Sequence, residues 1–104
     1  MLAGLARLLL GRSLKTEALG AAREGFALLE QLGGVEEGES IVRLMYATCL
    51  HATGNASAAL EARRARERVK ARAAKITDAS WRASFLENLP ENAATIAFAS
   101  QLGV

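Results

Sequence analysis

Apolar residues recur at helical spacing along nearly the whole of this 104-residue chain, and no stretch alternates as a half-buried strand would. Turn-forming residues, glycine above all, interrupt the pattern and divide the chain into about six segments. The sequence therefore predicts an all-α, single-domain protein of about six helices. The predicted helices cover 2–10, 14–32, 36–53 and 56–76, followed by a short helix after Thr77-Asp78 and a last helix that ends near Gln101.

The predicted helix 36–53 is apolar on most of its circumference and leaves only a narrow strip of Arg43, Ala47 and His51 at i, i+4 and i+8. A helix that is apolar nearly all round is normally packed between other helices, so we expect it at the centre of the fold. Its first turn is acidic, and negative side chains are favourable at the positive end of a helix dipole, so we expect this turn to be exposed to solvent. The acidic residues of that turn are Glu36, Glu37 and Glu39.

Small residues form the predicted inward stripe of helix 56–76, and they favour close packing against helix 36–53. That stripe is Ala58, Ala62, Ala65, Val69, Ala73 and Ile76. Polar residues before four helices predict side-chain caps for the first free N–H groups. They are Ser13 or Thr16, Asn55, Asp78 and Asn88, and Gly33-Gly34 and Gly54-Asn55 are predicted turns.

Helix 56–76 is strongly basic, with a net charge of +5 against −3 for the rest of the chain. On a helical wheel, a basic patch of Arg64, Arg68, Arg72 and Lys75 lies on one flank of the small-residue stripe. Such a helix could bind phosphates of a nucleic acid. Long arginine stems that cover the core while their charged ends stay in water explain the same pattern. Because no groove-reading motif accompanies the charge, nucleic-acid binding is the weaker hypothesis.

Helices 36–53 and 56–76, joined by a tight turn, resemble the tetratricopeptide repeat. Leu44, Ala47, Leu50, Gly54 and Ala59 fall where that repeat has apolar, small, large apolar, turn and small residues. The sequence departs from the repeat in three ways. Arg43 stands in the place of a large aromatic, no aromatic follows Gly54, and the 41 residues from Ala18 to Ala59 exceed the usual period of about 34. The resemblance implies a short right-handed solenoid of antiparallel helix pairs, with units at 1–33 and 35–76 and capping helices at 78–101.

The C-terminal third resembles the closing segment of tetratricopeptide-repeat regions in large bacterial serine/threonine protein kinases and related multidomain regulators. The residues that carry this resemblance are Arg72-Ala-Ala-Lys-Ile76, Arg82-Ala-Ser-Phe-Leu86 and Leu89-Pro-Glu-Asn92, and it extends over roughly Glu17–Leu102. It implies an interaction or scaffold role in signalling and predicts that the chain is the tail of a longer array. The chain carries none of the kinase motifs.

The preferred hypothesis is a protein-binding module without catalytic activity, in which a partner segment lies in the concave groove formed by the first helix of each pair. The predicted groove residues are Arg43, Tyr46, Ala47, Leu50 and His51. The alternative is self-association, because the first helix carries more leucine than one packing stripe needs. The residues of this predicted contact are Leu2, Leu5, Leu8 and Leu9. At the other end, Trp81, Phe85, Leu86 and Phe98 are predicted to cover the last repeat.

The reactive side chains are too few for a catalytic centre, since the chain has one His, one Asp, one Cys and one Tyr. Cys49 and His51 lie two residues apart on a helix and therefore on different faces, so they cannot act as a nucleophile–base pair or share a metal. We expect no enzymatic activity, metal, cofactor or small-molecule substrate. A single cysteine, no signal peptide and no spanning segment predict a cytoplasmic protein without membrane contact.

Overall fold

The structure, a computed structural model, describes residues 2–32 and 39–104, and within them all regular structure is helical. The helices are α1 (Leu2–Gly11), α2 (Lys15–Gln31), α3 (Glu39–Ala52), α4 (Ala58–Ala74), α5 (Ala79–Glu87) and α6 (Pro90–Gln101). The prediction of an all-α fold is confirmed. None of the described helices is both long and apolar enough to cross a membrane.

The helix limits agree with the sequence pattern more closely than the caps do. Asp78 caps α5, where its Oδ1 accepts a hydrogen bond from the Trp81 amide at 3.0 Å. Gly54 adopts a φ of 71°, as the predicted turn requires. The start predicted at Glu36 and the Gly33-Gly34 turn lie outside the described residues.

The other predicted caps are wrong. The N-cap of α2 is Leu14, with no side-chain cap, while Ser13 adopts a positive φ in the turn before it. Asn55 accepts from the amide of Ser57, which is itself the N-cap of α4, so it forms a local turn. Asn88 caps the C-terminus of α5, and α6 begins with Pro90 at a position where its missing N–H costs nothing.

Helix α3 lies at the centre of the fold and packs against α1, α2, α4 and α6. Its apolar circumference is explained by these four neighbours, and the prediction of a central helix is confirmed. The side toward α1 and α2 carries Met45 and Cys49, which join a cluster with alanines from both helices. The side toward α4 and α6 carries Ala47, which contacts Ala62 and Ala99.

Small residues set the close approach of α4 to α3. Five of the six residues of the predicted stripe, from Ala58 to Ala73, are buried, and Ile76 at the end is half-buried. A larger side chain at the crossing of Ala47, Ala62 and Ala99 would push the helices apart, because cores are packed too densely to absorb extra volume.

The C-terminal end of the helix array differs from the prediction. Trp81 is 74 % exposed and covers no core, while Phe85, Leu86 and Phe98 are half-buried. The prediction for Trp81 is wrong because α5 contacts only α4 and α6 and buries none of its own residues. Asn92 on α6 ties the two last helices together by donating a hydrogen bond to the Phe85 carbonyl at 3.0 Å.

Candidate functional site

Glu39, at the start of α3, is a buried carboxylate surrounded by three arginines. The residue is 1 % exposed, so the prediction of a solvated acidic turn is wrong for Glu39, while Glu36 and Glu37 lie outside the described residues. Arg68 Nε on α4 donates to Oε1 and Oε2 of Glu39 at 3.0 and 3.1 Å. Arg43 Nε lies 3.4 Å from Oε1, and Arg72 Nη1 lies 3.7 Å from Oε2.

The arrangement of these groups follows from helix geometry. Arg43 lies one turn after Glu39 on α3, and Arg68 and Arg72 are one turn apart on α4, so each pair shares a helix face. Burying an isolated carboxylate would cost several kcal/mol, and the guanidinium groups offset that cost by hydrogen bonds and charge. Since Arg68 lies 29 residues from Glu39 along the chain, no local pattern predicts their contact.

An aromatic pair lies beside this cluster. The rings of Phe26 on α2 and Tyr46 on α3 are stacked, with centroids 4.4 Å apart and planes 19° from parallel. The Arg43 guanidinium lies 5.5 Å from the Phe26 centroid, a favourable placement of a cation over a ring. The carboxylate, the arginine and the two rings therefore fix one another's positions between α2 and α3.

Two of these groups, Phe26 and Arg43, line an open groove between α2 and α4, with Phe26 as its aromatic floor; we call it the arginine groove. Its volume is about 490 Å³. Four arginines and two glutamates line it, so the lining side chains carry a net charge of +2. The lining residues are Phe26, Glu30, Arg43, Arg63, Arg64, Glu67, Arg68 and Ala71.

The arginines of the groove differ in how they are held. Arg64 Nη1 lies 2.9 Å from Oε1 of Glu61, and Arg43 and Arg68 pair with Glu39. Glu67 is paired with Arg66 at 3.1 Å. Arg63 is exposed and has no ion pair among the described residues, so its charge is the most available to a ligand.

The predicted groove residues do not share one surface. Arg43 lines the arginine groove and Tyr46 supports its floor, whereas Ala47 and Leu50 are buried in the chain's own core. His51 is exposed on another side of α3, where its ring meets Phe98 edge-on at 5.8 Å. The assignment of Ala47 and Leu50 to an open groove is wrong because both side chains are buried, and α4 and α6 cover Ala47 with Ala62 and Ala99.

The first helices of the two predicted pairs do form a cleft with α6, but other residues line it. This front cleft has a volume of about 360 Å³ and one basic and one acidic side chain. Its lining residues are Arg7, Ile41, Leu44, Pro90, Glu91 and Ala94. It carries no charge surplus that would select a ligand, in contrast to the arginine groove.

The predicted basic patch is also divided by the structure. Arg68 and Arg72 turn toward Glu39, Arg64 pairs with Glu61, and Lys75 is the exposed C-cap of α4. They do not form a continuous row facing a phosphate backbone. Arg63, which is not part of the predicted patch, lines the same groove as Arg64 and Arg68.

The predicted self-association residues also fall into different environments. Leu5 and Leu8 are 45 % and 54 % exposed. Leu9 is half-buried and packs against the cluster that contains Ala18 and Cys49, so it is the wrong residue for an exposed contact. The side chain of Leu2 lies outside the described part of the chain.

The described residues hold no group of three or more His, Cys, Asp or Glu side chains that could bind a metal ion. Cys49 is fully buried, and burial raises the pKa of its thiol. The chain was also compared with known proteins. No protein-family model matches the sequence, and neither the curated proteins nor the solved structures yielded a similar chain.

Proposed function

We propose that this chain is a non-catalytic protein–protein interaction module that binds an acidic segment of a partner protein in the arginine groove. The observation that carries the proposal is the convergence of Arg43, Arg63, Arg64 and Arg68 beside Phe26. Guanidinium groups bind carboxylates through paired hydrogen bonds, and an aromatic floor adds contact area for an apolar side chain. An acidic segment with an apolar residue fits both features.

The packing of the helices is consistent with a tetratricopeptide-like scaffold of the kind found in large bacterial signalling proteins. Helix α1 packs against α2 and α3 packs against α4, while α1 also contacts α3, as the first helices of successive repeats do. Helix α6 packs against α3 and α4, in the place where the first helix of a further repeat would lie. We propose a short right-handed solenoid on this basis, with α5 as an additional helix in the connection.

The position of the groove differs from the usual concave site of such repeats. It lies between α2 and α4, the second helices of the two pairs, over the Arg43 side of α3. The front cleft between α1, α3 and α6 is the matching concave position. Charge favours the arginine groove, since opposite charge steers association and selects the partner.

Selection from a random peptide library displayed on phage tests the proposal. We expect the recovered peptides to be rich in Asp and Glu, to contain an aromatic or aliphatic residue, and to bind more weakly at high salt. Arg63→Glu should weaken their binding about tenfold or more, because it replaces attraction by repulsion at an exposed position. Lys70→Glu is the matched control, since Lys70 is exposed on the same helix and does not line the groove.

Two results would overturn the proposal. One is a selection that recovers no acidic peptides, and the other is an equal loss of binding in Arg63→Glu and Lys70→Glu. Duplex DNA in the same assay tests the weaker alternative, nucleic-acid binding through the basic helix. If DNA binds more tightly than the peptides and Arg63→Glu abolishes that binding, the groove is a nucleic-acid site and the proposal is wrong.

A further inference from the structure

We propose that a phosphorylated side chain anchors the partner segment in the arginine groove, with its dianionic phosphoryl group bound between the arginine side chains. This inference rests on the proposed function, because it names the chemical group by which the segment binds. Three properties of the groove favour such a ligand. They are the adjacent positions of two arginines, the donors that the arginines leave unused and the net charge of the lining.

Arg43 and Arg68 are held side by side by one carboxylate. The Nε atom of Arg43 lies 3.4 Å from Oε1 of Glu39, and the Nε atom of Arg68 donates to the same oxygen at 3.0 Å. The side chain of Glu39 is 2 % exposed and that of Arg68 is 47 % exposed, so the shared carboxylate is buried while part of Arg68 reaches the solvent. Two guanidinium groups are therefore adjacent at the groove with only one negative charge between them.

The arginines of the groove keep hydrogen-bond donors that no group of the chain uses. Within residues 2–32 and 39–104, Arg43 and Arg68 donate only from Nε, so both Nη nitrogens of each are without an acceptor. Arg64 donates only from Nη1, and no hydrogen bond from the Arg63 side chain is found in the same ranges. The Nη groups of a guanidinium form a fork that matches two oxygens of a phosphoryl group or a carboxylate. Each lining arginine therefore retains donors for an incoming anion.

A phosphoryl group matches these donors and charges better than one carboxylate does. It carries a charge of about −1.5 to −2 at pH 7 and three strong acceptor oxygens, so it can pair with more than one arginine fork. A carboxylate has one charge and two oxygens, and a single fork can pair with both. The lining side chains have a net charge of +2, so one dianion neutralises them.

The positions of the arginines allow several of them to reach one anion. Arg64 and Arg68 are one turn apart on α4, where such residues are neighbours with Cβ atoms about 5–6 Å apart. Arg43 approaches from α3, and its guanidinium also lies 5.5 Å from the ring centroid of Phe26. The Arg43 side chain is only 18 % exposed, so water screens its charge weakly. Groups that are already held in place lose little freedom on binding, which leaves more of the interaction as affinity.

Two glutamates of the lining favour a charge at one point over a charge spread along the segment. Glu30 lies on α2 one turn after Phe26, and Glu67 lies on α4 one turn after Arg63. Like charges across an interface are unfavourable. A phosphoryl group concentrates its charge among the arginines, whereas a run of Asp and Glu also brings carboxylates toward Glu30 and Glu67.

Two peptides of equal length and net charge test the ligand by isothermal titration calorimetry. One carries phosphoserine-Ala next to a central Phe, and the other carries Glu-Glu at the same two positions. The phosphopeptide should bind about tenfold or more tightly, because its oxygens engage several arginines at once. The ³¹P signal of the bound phosphopeptide, followed against pH, should show a lowered second pKa of the phosphoryl group, because the arginines favour its dianion.

Arg63→Gln should weaken binding of the phosphopeptide about tenfold, since it removes one charged fork at an exposed position. Lys70→Gln is the matched control, because Lys70 is exposed on the same helix and does not line the groove. It should bind the phosphopeptide like the wild type. Equal effects of the two substitutions would overturn the inference, and so would a phosphoryl pKa that is unchanged by binding.

The remaining outcomes separate this inference from the proposed function. Equal affinities for the two peptides would overturn the phosphoryl anchor and leave the proposed function intact. Failure of both peptides to bind would overturn both. Inorganic phosphate is titrated in the same way, and if it binds as tightly as the phosphopeptide, the groove is a site for a free anion and the inference is wrong.

Discussion

Arg68 on α4 donates from a single nitrogen, Nε, to both carboxylate oxygens of Glu39 on α3, at 3.0 and 3.1 Å. This contact joins the central helix to the basic helix at the edge of the arginine groove. Two further arginines approach the same carboxylate, so the cluster holds more positive than negative charge. Glu39 therefore both stabilises the packing of α3 on α4 and orients two arginines that line the groove.

Replacing Glu39 should be costly. Glu39→Gln keeps the shape of the side chain and removes its charge, which leaves three arginines without a counter-charge beside the core. We expect a loss of about 3 kcal/mol in the free energy of unfolding, measured by urea denaturation. Glu67→Gln changes the charge equally at a side chain that is 60 % exposed, and should cost less than about 1 kcal/mol. Equal losses in the two variants would contradict this account of Glu39.

The small residues at the crossing of α3, α4 and α6 predict a second stability effect. Ala62→Leu adds volume where Ala62 touches Ala47 and Ala99, and should lower the free energy of unfolding by about 1–3 kcal/mol. Ala74→Leu makes the same change at an exposed position on the same helix and should have little effect. An unchanged stability of Ala62→Leu would mean that the helices do not cross as closely as described.

Cys49 should react with thiol reagents only when the chain unfolds. Burial raises the pKa of its thiol, so the folded chain holds little of the reactive thiolate. In the unfolded chain the thiol has a lower pKa and loses its proton at a lower pH. The contribution of the neutral, buried thiol to the free energy of unfolding is therefore fully present below the unfolded pKa. It is lost as pH rises through the folded pKa. A chromogenic disulfide reagent measures the labelling rate with and without urea.

A thiol placed at an exposed position, Ser100→Cys in a Cys49→Ala background, is the control and should label at once in native buffer. Labelling of native Cys49 at the same rate as this control would show that the apolar cluster around Cys49, formed by α1, α2 and α3, is open to solvent. The pH dependence adds an independent check. At alkaline pH, the free energy of unfolding should fall more in the wild type than in Cys49→Ala.

The cap at Asp78 should control the order of α5. This helix buries none of its residues, so the hydrogen bond from the Trp81 amide to Asp78 is a large part of what holds its first turn. Asp78→Ala should cost about 1 kcal/mol and should speed amide hydrogen exchange in α5. Asn88→Ala, at the opposite end of the helix, should leave the first turn protected. Unchanged exchange in Asp78→Ala would contradict the role of the cap.

The positions of the helices were predictable because periodic apolar residues report which face of each helix is buried. The small-residue stripe from Ala58 to Ala73 and the central place of α3 follow from that periodicity alone. The caps were less predictable, since a polar residue near a helix start can serve a turn instead. Asn55 does so, because α4 begins later than the residue pattern indicates.

The candidate site was predictable only in its parts. Arg43 and the basic patch were singled out in the sequence, but no local signal shows that Arg43, Arg64 and Arg68 share one groove with Phe26. That convergence depends on the angles between α2, α3 and α4. Glu39 was misassigned for the same reason, because its main partner, Arg68, comes from a distant part of the chain.

The most direct test of the arginine groove is the position of a bound peptide on the chain. A synthetic peptide rich in Asp and Glu with one central Phe is titrated into ¹⁵N-labelled protein, and the amide chemical shifts are followed by NMR. We predict that the largest changes fall on residues of the groove, Phe26, Glu30, Arg63 and Ala71, and that they disappear in Arg63→Glu. Changes centred on the front cleft, at Ile41 and Ala94, or no saturable changes at all, would contradict the proposed function.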